Sequence, residues 1–143
     1  MECVYKGNIY LNGNTIVLAI TGILYLWLLI FIRTTLISVI IFATTWLYIF
    51  IKLSFQVYYF ILKDNVLMIR NHYLPWIEVI FPIEEIQEVS FEKKFKMANS
   101  LEIRTKNKLN HYCGSTIKIK NWLTLKADLE SKGIRVRNEY ISE

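Results

Sequence analysis

Two uncharged apolar runs fill most of the first third of the chain, and an alternating pattern replaces them afterwards. Ile16 to Ile32 and Leu36 to Ile51 contain no Asp, Glu, Lys or Arg, and Arg33 is the one charged residue between Lys6 and Lys52. A bilayer-spanning helix takes roughly 17–25 mostly apolar residues at ~1.5 Å rise each. With Asn14 and Thr34 as outer limits both runs qualify, which predicts helices over about 14–32 and 34–51. As one continuous helix they would outreach the ~30 Å hydrocarbon core and hold Arg33 near its middle, at a cost of several kcal/mol. A hairpin puts Arg33 at the interface instead. Its turn, Arg33-Thr34-Thr35, lacks Gly, Pro and Asn, but Thr34 or Thr35 can cap the second helix. A cleaved signal sequence is the alternative for the first run, with Lys6 as its basic flank. No small-x-small cleavage site follows, and a second apolar run comes at once, which favours retained helices.

After Phe55 the apolar positions alternate, as in half-buried strands. Gln56 to Lys63 and Val66 to Asn71 flank Asp64-Asn65, a pair suited to the positive φ angles of a tight hairpin turn. Trp76 to Phe81 ends at Pro82, and a short connection leads into Gln87 to Phe95. Leu101 to Lys106 and Thr116 to Lys120 repeat the alternation with one wet face each. Trp122, Leu125 and Leu129 then recur at helical spacing, with Asn121 as candidate N-cap and Gly133 as candidate C-cap. The predicted class is therefore α+β. A two-helix transmembrane hairpin (14–52) follows an N-terminal segment (1–13), and an antiparallel β-roll or barrel closed by a C-terminal amphipathic helix occupies 53–143.

Charge separates the same parts. Lys52 to Glu143 holds 15 Lys+Arg against 11 Asp+Glu, an excess of four cations. About 90 residues suit one compact domain with a small core. Lys6, Lys52 and Lys63 flank the terminal side of the hairpin against Arg33 alone at the turn, and this bias places both termini in the cytoplasm. Arg33, Trp46, Tyr48 and Lys52 are the expected membrane-interface residues. Phe50, Phe55, Tyr58 and Tyr59 continue the aromatic cluster at the exit from the second helix, where amphipathic rings fit the headgroup layer. Tyr25 and Trp27, in mid-span, are expected to face lipid.

The run Tyr58 to Glu88, including Phe81-Pro82-Ile83-Glu84-Glu85-Ile86, resembles the bacterial PH-like domains. Ala98 to Ile103, Ser115 to Ile119 and the Leu-rich helix after them are similar to the YyaB-like branch, whose members commonly carry a short transmembrane hairpin ahead of the domain. The resemblance covers roughly Leu53 to Val136. It implies a PH-like domain on the bacterial cytoplasmic (inner) membrane, in a multi-pass protein, and no particular activity.

Candidate chemistry is sparse. His72, His111, Cys3, Cys113, Asp64 and Asp128 are the reactive or ligating groups, but His111 and Cys113 have no second ligand pair of the kind a structural zinc site uses. No catalytic signature or Gly-rich phosphate loop surrounds the rest, so neither an enzyme nor a cofactor or metal is expected. The most suggestive surface is Lys93, Lys94, Phe95, Lys96 and Met97. Cations interleaved with apolar residues suit contact with anionic lipid or a partner, and a Lys-rich hairpin equally protects a sheet edge from pairing. Acidic residues scattered among the basic ones argue against nucleic acid. The expected function is a membrane-anchored binding or scaffolding module contacting membrane lipids and a protein partner or a second copy. The alternative is an accessory subunit of a membrane enzyme or transporter acting through the helix pair.

Overall fold

In the computed structural model, which describes residues 2–11, 13–31, 35–93 and 99–138, the chain is α+β, with two apolar helices ahead of antiparallel sheets and a C-terminal helix. Strand β1 (Cys3–Tyr5) precedes helices α1 (Gly13–Phe31) and α2 (Leu36–Ser54). Thr35 is the N-cap of α2, accepting a hydrogen bond from the Ser38 N–H. Leu36–Ser54 is long and apolar enough to cross a membrane, with a mean hydropathy of 2.1 and none of its span buried, while Thr15–Phe31 is a shorter apolar helix. The two run antiparallel: the Tyr25 hydroxyl donates to the Val39 carbonyl at 3.2 Å, Tyr25 stacks on Phe42, and the Trp46 indole lies against Gly22. Thr21, Thr44 and Thr45 return their hydroxyl protons to carbonyls of Val17, Ile40 and Ile41 in their own helices. Such back-bonding satisfies a helix hydroxyl within its own helix.

Two four-stranded sheets follow. The first has the order β1-β2-β3-β4, with β2 (Tyr58–Lys63), β3 (Val66–Asn71) and β4 (Glu78–Pro82), all antiparallel. Asp64-Asn65 forms the tight β2–β3 turn, pairing Lys63 with Val66. The second has the order β7-β6-β5-β8, with β5 (Ile86–Lys93), β6 (Asn99–Thr105), β7 (Leu109–Cys113) and β8 (Arg135–Asn138), the last parallel to β5. The expected barrel does not close. Among the described residues no strand of one sheet pairs with a strand of the other, and the isolated bridge Val57↔Gly114, just outside the strands, links them. Helix α3 (Ile119–Ser131) explains the opening, because its Trp122 ring sits 5.3 Å from Phe60 of the first sheet and 5.4 Å from Phe91 of the second. Trp122, Leu125 and Leu129 are fully buried with Phe60, Leu67, Ile69, Val89, Leu101 and Ile103. A helix wedged into the apolar space holds the sheets apart instead of capping a closed roll.

Three local expectations are corrected. The alternating Thr116 to Lys120 segment is not a strand: the Ile117 N–H bonds to Gly114 O at 3.0 Å, turning the chain, and α3 starts at Ile119 with Lys118 as N-cap instead of Asn121. The last antiparallel strand is β7. A further strand, β8, follows α3, and the N-terminal segment supplies β1, whose Tyr5 is buried and donates its hydroxyl proton to Asp128. Gly133 does end α3, at φ 80, with its N–H on Glu130 O and the Ile134 N–H on Leu129 O. This pair of bonds is a Schellman cap.

Candidate functional site

Four segments meet where the helices leave the domain: the 6–11 linker into α1, the end of α2, the 72–77 loop between β3 and β4, and the turn before α3. Asn71 organises them. Its fully buried side chain donates from Nδ2 to the Ser54 carbonyl at 2.6 Å and accepts at Oδ1 from the Tyr73 and Leu74 N–H groups at 2.9 and 3.0 Å. The loop so held brings the Tyr73 ring against Phe50 of α2 and its hydroxyl onto that of Thr15 in α1. Thr15 also donates to the Ile9 carbonyl at 2.6 Å, so both helix roots are tied to one loop.

The linker and α3 meet at the same end. A side chain at Gly7 would collide with the Thr116 carbonyl, and Asn121 Nδ2 bonds to Lys6 O at 3.3 Å. Lys6 Nζ lies 5.3 Å from the centre of the Tyr59 ring, which packs on His72. His72 faces the Thr116 hydroxyl at 3.3 Å. Burial, with the Lys6 charge as a lesser cause, holds the imidazole down at about 4, so it is neutral near pH 7.

Charge is unevenly arranged along the strands. The end away from the helices carries Asp64, Glu84, Glu85, Glu88 and Glu130, and there Arg104 and Arg135 both reach Glu88, at 3.5 and 3.8 Å, while Lys106 and Lys108 are exposed in the β6–β7 turn. At the root end Arg70 is paired with Glu78 at 2.7 Å. Lys6, Lys118 and Lys120 are exposed there, and among the described residues none of the three has an ion-pair partner.

The expected residues divide. Trp46 lies two turns inside α2, stacked on Phe50 at 5.8 Å, with its buried indole N–H lacking an acceptor among the described residues. It borders an apolar crevice of about 290 Å³ between the helices, lined also by Thr21, Leu24, Tyr25, Leu28 and Phe42. Lys52, in the last turn of α2, lies 5.6 Å from the Tyr48 ring, and both are exposed. Arg33, Lys94, Phe95, Lys96 and Met97 lie outside the described residues, as does the side chain of Lys93. The strand ends on either side of residues 94–98 stand at the root end, because Asn99 O accepts from Gly114 N, and Gly114 bridges to Val57, three residues past α2. Neither Asn71 nor the Lys118-Ile119-Lys120 corner was among the expected site residues.

Of the reactive groups, His111 is exposed on β7, and burial pushes the Cys113 thiol up, against a backbone hydrogen bond from Ser115. Among the described residues no group of three His, Cys, Asp or Glu is placed to hold a metal. The outer face of the first sheet carries an apolar cross-strand row, Val4–Ile61–Met68–Ile80, in register across all four strands. No protein-family model matches the chain, and no curated protein matches it.

Proposed function

We propose that this chain is a membrane-anchored binding or scaffolding module. Its two helices span a bacterial cytoplasmic membrane as a hairpin, both termini lie in the cytoplasm, and a PH-like domain is held against the inner leaflet. The observation that carries the reading is the Asn71 junction. An unburied apolar helix ends at Ser54 in a buried hydrogen bond to the domain, so the anchor is joined to the domain by a side-chain contact as well as by the chain. A module of this kind positions a surface; it needs no reaction of its own. Val4 and Ile80, the exposed members of the Val4–Ile61–Met68–Ile80 row, are the surface offered to a protein partner, with Met68 half-buried and Ile61 already buried between them.

The crevice beside Trp46 favours a second reading, an accessory subunit working through the helix pair. An indole N–H inside hydrocarbon gains from an acceptor on a neighbouring helix, where such bonds contribute ~0.6–2 kcal/mol. Purification of the full chain from native membranes in gentle detergent separates the two. A partner lost on Ile80→Lys supports the domain reading, and a larger membrane protein in fixed ratio, lost on Trp46→Leu but kept by Ile80→Lys, supports the accessory one.

A further inference from the structure

We infer that the root-end rim of the domain is a contact surface for an anionic lipid leaflet, formed by Lys6, Lys118 and Lys120 around the exposed apolar groups of Tyr10, Trp76 and Ile119. The inference rests on the membrane anchoring proposed above and deepens it by naming the surface and the ligand class. Tyr10 is 80% exposed, Trp76 76% and Ile119 58%. Single exposed apolar residues need no explanation, but these three belong to three of the four segments that gather at the helix roots. Tyr10 is in the linker to α1, Trp76 is three residues past Tyr73, and Ile119 is the first residue of α3.

Charge points the same way. The three lysines have no carboxylate partner among the described residues, whereas the cations of the opposite end stand among Asp64, Glu84, Glu85, Glu88 and Glu130, with Arg104 and Arg135 sharing Glu88. Helix α3 begins at this end, and the positive end of its dipole adds to Lys118 and Lys120. Cations around amphipathic rings are the composition that settles at a headgroup layer, the rings at the acyl boundary and the ammonium groups on phosphate. The loop carrying Trp76 is fixed by the Tyr73 and Leu74 N–H groups on Asn71 Oδ1 and by the Asn71 N–H on the Ile77 carbonyl, so presenting the ring costs little ordering entropy. The helices hold the rim at high effective concentration beside the leaflet, so weak contacts suffice to fix the domain's tilt. Near an anionic surface each lysine raises the contact population about fivefold before salt screening.

The test uses the full chain, labelled with 5-fluorotryptophan, in lipid nanodiscs. The chain has four Trp, and single Trp→Phe variants assign their fluorine resonances. Lipids carrying a nitroxide on the headgroup should broaden Trp76 in discs containing anionic lipid, by at least about twofold more than in purely zwitterionic discs. Lipids carrying a nitroxide in the acyl chain should broaden Trp27 and Trp46 in both, and Trp122, buried between the sheets, should stay sharp. Changing Lys6, Lys118 and Lys120 together to Ala should return Trp76 to its zwitterionic linewidth, with an unmoved Trp122 shift showing an intact fold. A Trp76 resonance as sharp as Trp122 in anionic discs, with Trp27 and Trp46 broadened, overturns the rim contact and leaves the anchor standing. Equal broadening in both disc types overturns the anionic preference. Sharp Trp27 and Trp46 resonances overturn the anchoring itself.

Discussion

Asn71 Nδ2 donates to the carbonyl of Ser54 at 2.6 Å, and both residues are fully buried. This bond ties the last turn of an otherwise unburied apolar helix to the end of β3. The same side chain's oxygen orders the loop that touches both helices. Removing Asn71 leaves the Tyr73 and Leu74 N–H groups without their acceptor and the Ser54 carbonyl with the Val57 N–H alone, at 3.3 Å, and each orphaned donor costs about 1–3 kcal/mol. Asn71→Leu should destabilise the full chain by about 2 kcal/mol or more, read as a lower denaturation midpoint in detergent, and should increase hydrogen exchange first at 72–77. A shift below ~1 kcal/mol would mean that water replaces all three bonds.

Trp122 is buried against a ring from each sheet. Trp122→Ala should cost roughly 3–5 kcal/mol, measured by chemical unfolding followed through circular dichroism. A loss under ~1 kcal/mol would place the ring outside the core.

The N-terminal strand makes a prediction about where the domain begins. Tyr5 fills a slot in the core and bonds to Asp128 on α3. A fragment starting at Leu53 should therefore be less stable than one in which residues 1–8 are rejoined to it through a flexible linker replacing the helices. Burying one aromatic side chain contributes about 1.5–3 kcal/mol, and a difference of that order in unfolding free energy is expected. Equal stabilities would show that β1 adds nothing.

Acid should weaken the junction. The folded state holds His72 neutral down to about pH 4, whereas the unfolded chain protonates it near the ordinary imidazole value of 6.5. Between those values the unfolded state binds more protons, so this group's contribution is complete above pH 6.5 and is lost as pH falls toward 4. His72→Gln should flatten that part of the stability profile in equilibrium unfolding at stepped pH. An unchanged slope would assign the acid sensitivity to other groups.

What was legible in the sequence divides by range. The helices show because apolar runs without charge are local, the β2–β3 hairpin because Asp64-Asn65 is a turn signal between alternating residues, and α3 because Trp122, Leu125 and Leu129 share a face. Thr116 to Lys120 misled because strand alternation and the approach to a helix look alike over five residues, and the Ile117 bond to Gly114 decides between them. Cys3–Tyr5 is too short to carry a period, and it pairs with residues of β2 across both helices. The root-end rim was hidden for the same reason. Nothing in the local pattern brings Lys6 beside Asn121 or Asn71 beside Ser54, whose contacts exist only once the sheets form.

The central claim, an anchor whose domain and both termini share the cytoplasmic side, is tested most directly by thiol labelling in intact cells. Cys3 on β1 and Cys113 on β7 are partly exposed native reporters on the domain, and Thr35→Cys supplies one at the hairpin turn. With a membrane-impermeant maleimide, position 35 should label in intact cells. Cys3 and Cys113 should label only after the membrane is opened, Cys113 slowly because its thiol is pushed up by burial. Labelling of Cys3 or Cys113 in intact cells, with position 35 protected until the membrane is opened, would contradict the account.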